Sequence, residues 1–98
     1  MSDFVEMVLG CGSWQEAQRI ADVLLEKRLV ARVEMMEVKA TDWLKHGLGE
    51  ARKIKLLMES AAENLEKIEH VIKFHQNKES VELYVIPIEK LANEAVHA

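Results

Sequence analysis

Apolar residues recur along the chain at two different spacings, and the alternation between them marks out the elements. Phe4 to Leu9 is dominated by β-formers and runs into Gly10-Cys11-Gly12, which reads as a strand ending near Gly10 in a tight loop. Ser13 followed by Glu16 has the spacing of a capping box, in which the serine hydroxyl accepts from the Glu16 amide and the glutamate reaches back to the Ser13 amide. Ala17, Ile20, Ala21 and Leu24, with the stem of Arg28, then form one stripe of a helix predicted over about 14–28. Val30, Val33, Val38 and the pair Met35-Met36, interleaved with Arg32, Glu34 and Glu37, predict a long strand over 29–40. Lys45 to Gly49 supplies a hairpin, and Lys53 to Met58 returns as the third strand.

Ser60 and Glu63 repeat the capping-box spacing before a second stripe, Leu65, Ile68, Val71 and Ile72, which predicts a helix ending near His75. Val81 to Ile86 reads as a last strand stopped by Pro87, with a short helical segment from about Glu89. The order βαββαβ is that of an α+β, ferredoxin-like domain: a four-stranded antiparallel sheet with both helices on one face. The whole chain, 1–98, reads as a single such domain. In the last strand Val81, Leu83 and Val85 point one way and Tyr84 and Ile86 the other, so both faces carry apolar groups. A sheet face of that kind is normally hidden against a partner, which predicts an oligomer with Tyr84 and Ile86 at the contact.

Composition narrows the function classes. With 49% apolar and 31% charged residues the chain has enough to bury and to stay folded. A net charge of −4, spread without a basic stripe, argues against nucleic acid as a partner. The longest apolar runs, such as Met7-Val8-Leu9, fall far short of the roughly 18 residues that cross a bilayer, so no membrane partner is expected. Asp3 and Glu6 lie where a signal peptide would be basic, and the lone Cys11 forms no internal disulfide; both point to a cytoplasmic protein. Neither a nucleophile elbow, nor a His-Glu-x-x-His helix, nor a phosphate-binding glycine loop is present, so no enzymatic activity is expected.

The stretch Ile20 to Val33 resembles the segment I-A-x-x-L-V-E-x-R-L-A-A-C-V of the CutA divalent-cation tolerance family. Trp43 and Gly47 are similar to that family's W-x-G hairpin, His75 lies where its H-P-Y motif falls, and Val81 to Ile88 is similar to its P-E-I-I-x-x-P-V strand. The family's cysteine position is taken by Arg32, its P-D-E loop by Ser13-Trp14-Gln15, and H-P-Y by His75-Gln76-Asn77, so the chain resembles a divergent member. The resemblance implies a homotrimer with a role in tolerance of copper and other divalent metals. It also implies kinship with PII-like signalling trimers, and hence, as an alternative, a regulatory or adaptor trimer that binds a small molecule or a partner protein between subunits.

By the same resemblance the metal-linked positions are Cys11, His75 and Glu82, and a thiolate, an imidazole and a carboxylate would suit copper or another divalent ion. Each residue also has a plainer reading. Cys11 reads equally as an inert thiol in a glycine loop, His75 as a cation at a helix C-terminus, and Glu82 as a solvated strand residue. Met7, Met35, Met36 and Met58 are read as core filler. Trp43 is read as an aromatic anchor at a subunit contact, beside Tyr84 and Ile86. Arg32 is either an edge charge that blocks strand aggregation or an ion-pair partner between subunits.

Overall fold

The computed structural model describes residues 3–44, 47–76 and 82–88. Strand β1 (Phe4–Cys11) is followed by helix α1 (Trp14–Glu26), strands β2 (Arg32–Leu44) and β3 (Gly47–Ala61), a 3₁₀ turn (Ala62–Asn64), helix α2 (Leu65–Gln76) and strand β4 (Leu83–Ile88). The sheet order is β2-β3-β1-β4, and every neighbouring pair is antiparallel. The ferredoxin-like βαββαβ arrangement expected from the sequence is therefore the one found. The predicted helix after Glu89 lies outside the described residues.

Directly paired residues of an antiparallel sheet share a face, so the register sorts the side chains. On one face lie Val5, Met7, Leu9 and Cys11 of β1, paired with Ser60, Met58, Leu56 and Ile54 of β3, and all are buried. Ala17, Ile20 and Leu24 of α1 and Ile68 and Ile72 of α2 complete this core. Met7 and Met58 are core filler as expected, whereas Met36 on the other face is well exposed.

The first capping box forms with one change of partner. Ser13 Oγ accepts from the Glu16 amide at 3.1 Å, but the Glu16 carboxylate accepts from the amide of Gly12, at 3.2 Å, and not from that of Ser13. Helix α1 then ends before the predicted 28. Arg28 takes the left-handed conformation (φ 56°), its amide donates to the Leu25 carbonyl, and the Leu29 amide donates to the Leu24 carbonyl, each at 3.0 Å. These bonds make a Schellman motif, with arginine where glycine is usual. The Arg28 stem is thus exposed and outside the helical stripe.

The second capping box does not form. Ser60 is buried at the end of β3, and its hydroxyl donates to the carbonyl of Leu29 at 2.6 Å. Asn64 donates to the same carbonyl and to Ser60 Oγ, both at 3.3 Å. The reason is positional: β3 extends through Ala61, so Ser60 is still paired, with Val5, and cannot also cap a helix. A 3₁₀ turn starts the helical segment instead, with no side-chain cap at Ala61.

The hairpin is longer than its sequence signal. Gly47, Leu48 and Gly49 belong to β3 and pair with Leu44, Trp43 and Asp42, so these three are strand residues and not part of the turn expected across 45–49; residues 45–46 lie outside the described residues. Pairing of β1 with β3 ends at Cys11 and Ile54, so the ribbon from Val38 and Lys53 outward runs beyond the sheet body by about 20 Å. Pro87 does not stop the last strand; it pairs with Val5 inside β4. An edge strand accommodates it, because a ladder donor is not required on the open side.

Three substitutions test these junctions by denaturant unfolding. Ser60→Ala is expected to lower stability by about 1–2 kcal/mol, by removing the donor to a partly buried carbonyl, while Glu63→Ala has little effect; equal losses would restore the capping box. Arg28→Gly is expected to raise stability by about 1 kcal/mol, because the left-handed conformation costs glycine nothing.

Candidate functional site

Cys11 closes β1 with its side chain on the helix-covered face, only 4% exposed. Gln76, the last residue of α2, lies over it: its side-chain amide donates to the Gly10 carbonyl at 3.1 Å and reaches Cys11 Sγ at 4.0 Å. The helix end is thereby tied to the strand end, and the thiol is covered by an amide donor. His75, one residue earlier, is half-buried, with its ring edge-on to that of Phe74 at 5.2 Å and 84°. Phe74 itself is 77% exposed.

Glu82 precedes β4 and is exposed. Its Oε1 accepts from the Tyr84 hydroxyl at 3.3 Å. Tyr84 pairs with Val8, which lies on the face opposite Leu9 and Cys11. The carboxylate of Glu82 and the thiol of Cys11 are therefore on opposite sides of the sheet. Among the described residues no group of three or more His, Cys, Asp or Glu side chains is placed to hold a metal ion. The placement agrees: Cys11 is sealed among apolar side chains with the Gln76 side chain over its sulfur, so an ion does not reach it without movement of that cover. Within one chain Cys11, His75 and Glu82 do not meet around a common ion.

The expected contact residues fare differently. Tyr84 is 58% and Ile86 49% exposed on the uncovered face, beside Phe4 at 59%. Val85, on the helix-covered face by its pairing with Met7, is also exposed, because the helices do not reach the edge strand there. Only Leu83 of β4 packs against the core. Trp43 pairs with Leu48 in the outer part of the hairpin; its side chain lies outside the described residues. Arg32 forms an ion pair with Glu34 of its own strand at 3.3 Å, with both side chains well exposed, an arrangement that adds little stability.

Sequence reasoning noted Gln76 only as a departure from the family's H-P-Y motif and missed that it holds α2 to β1, and it did not find a cleft on the uncovered face bounded by Lys53, Lys55, Glu82 and Tyr84 over Gly10. One signal for the cleft was available. A glycine inside a strand often marks a place where something approaches the backbone.

No curated protein matches the chain significantly. Among solved structures, the periplasmic divalent cation tolerance protein CutA of Archaeoglobus fulgidus is 24% identical, with 96% of this chain and 92% of that one covered and a TM-score of 0.77. CutA1 of Shewanella sp. SIB1, a psychrotrophic bacterium, is 18% identical over 98% and 91%, with a TM-score of 0.80. The divalent cation tolerance protein of Thermus thermophilus is 20% identical over 96% and 92%, with a TM-score of 0.77. The first of these corrects the expectation of a cytoplasmic location: a protein of this fold is described as periplasmic. Neither a single cysteine nor acidic residues near the N-terminus decides the compartment, since a protein without disulfides folds in either. The family model described as CutA1 divalent ion tolerance protein matches residues 5–97, and the chain belongs to that family.

Proposed function

We propose that this protein acts as a homotrimer in the tolerance of divalent cations, copper among them, without catalysing a reaction. The observation that carries the assembly is the apolar row Phe4, Tyr84 and Ile86, exposed on the uncovered face at the β4 edge. Burying such residues is worth about 25 cal/mol per Å² of apolar surface, and both β2 and β4 offer open edges to which a second chain can add a strand. The long ribbon bearing Trp43 extends the β2 edge well past the sheet body. Divalent-ion tolerance is the role by which the family is described, and that family is not one of known enzymes.

The metal side of this reading does not run through a Cys11-His75-Glu82 site in one chain. A cation would meet His75 and Glu82 at separate places, and Cys11 only after Gln76 moved away.

Light scattering on a sizing column is expected to give the mass of three chains, and Ile86→Lys to shift it towards one; a monomer at micromolar concentration for the unaltered protein would overturn the assembly. Calorimetric titration with copper is expected to show saturable binding that Cys11→Ala leaves unchanged. Loss of copper binding in Cys11→Ala would contradict the sealed placement of the thiol, and absence of any saturable binding would count against copper.

A further inference from the structure

The uncovered face is charged at both ends, with opposite signs. Towards the start of β1, Glu6 is paired directly with Glu59, and Glu59 with Arg32, so the three side chains share that face. Glu34 joins them around a small cleft, three carboxylates to one guanidinium. Arg32 is engaged by Glu34 at 3.3 Å, which leaves Glu6 and Glu59 opposed to each other. Like charges directly across a strand pair, with Cβ atoms about 5 Å apart, destabilise a sheet. At the other end Lys53 and Lys55 alternate along β3, with Lys55 paired to Gly10. The cleft they line also holds Lys39 and Glu82, three ammonium groups to one carboxylate. Between the two ends runs a band in which Val8 is paired with Leu57 on one side and with Tyr84 on the other.

The two ends do not neutralise each other within one chain. Lys55 and Glu59 are four positions apart on β3, about 13 Å along the strand, which exceeds the screening length of about 8 Å at physiological salt. Among the described residues no ion pair or side-chain hydrogen bond engages Glu6, Glu59, Lys53 or Lys55.

We infer that this face recognises a second copy of the chain by charge: the Glu6-Glu59 end of one copy seats against the Lys53-Lys55 end of the next, with the Val8-Leu57-Tyr84 band buried between them. The inference rests on the assembly proposed above and names the residues that orient it. Charge complementarity carries the choice of occupant. A uniformly basic partner would be repelled at Lys55, and a uniformly acidic one at Glu59. A surface with both signs at the same spacing satisfies both ends, and the chain itself presents one. An ammonium group brought between Glu6 and Glu59 also removes the repulsion that a lone chain carries. Because every copy offers one end of each sign, head-to-tail contacts can close into a ring with no end left over.

Charge reversal, read by light scattering on a sizing column, tests the contact. Glu6→Lys combined with Glu59→Lys, and separately Lys53→Glu combined with Lys55→Glu, are each expected to raise the dissociation constant of the assembly by about a hundredfold or more, shifting the mass from three chains towards one. Glu59→Gln, which removes one charge and keeps the shape, is expected to weaken assembly by about tenfold. The fourfold variant with both ends reversed again has opposite signs at its two ends and is expected to recover the mass of three chains, which separates a lost contact from a lost fold. Either reversed pair assembling as tightly as the unaltered chain, or failure of the fourfold variant to reassemble, would overturn the charge-directed contact and leave the trimer of the unaltered chain standing. A monomeric unaltered chain would overturn the assembly and this contact with it.

Discussion

Met7 and Leu9 of the central strand β1 are flanked on one side by Met58 and Leu56 and on the other by Val85 and Leu83, and that double pairing sets the sides of the whole sheet. Strand residues alternate between faces with a period of two, and directly paired residues share a face. Once Met7 and Leu9 are buried under the helices, every neighbour inherits a side. A slip of one residue would place Val8 and Leu57 under the helices and expose Met7, Leu9, Leu56 and Met58, all now fully buried. The burial of those four side chains therefore holds in place everything else described, including residues with no part in the core. Cys11 is sealed because it is in step with Leu9, and Glu82 faces outward because it is in step with Tyr84.

The same constraint explains the junctions. Ser60 is in step with Met58 and so faces inward, where the Leu29 carbonyl, at the exit of the Schellman motif, needs donors. Ser60 and Asn64 supply them and join the end of α1 to the end of β3. At the opposite end of the sheet Gln76 ties α2 to Gly10. The helices are thus fastened at both ends of the sheet's covered face. The uncovered face keeps its apolar residues near β4 and its lysines on β3, and it is there that the contact surface is assigned.

Much of this was legible in the sequence where a single local pattern suffices. The stripes Ala17-Ile20-Ala21-Leu24 and Ile68-Ile72 located the helices, and Tyr84 and Ile86 were placed on the uncovered face by alternation alone. What local pattern could not decide was anything set by pairing between strands. Ser60 and Glu63 have the spacing of a capping box, yet the extent of β3 decides the matter against it. Gly47 and Gly49 look like turn residues, yet β2 continues opposite them. Pro87 looks like a stop, yet its strand lies at an edge. The metal-linked set failed to converge for the same reason: proximity of strand ends is visible in the order of elements, but sidedness depends on register, and register separates Cys11 from Glu82.

Thiol reactivity measures that separation directly. With an aromatic disulfide reagent added to the native protein, Cys11 is predicted to react no faster than the chain unfolds, since its sulfur is reached only when the core and the Gln76 contact open. Reaction at the rate of a free, solvent-exposed thiol would place Cys11 outside the core and contradict the two-sided arrangement on which the site and the assembly rest.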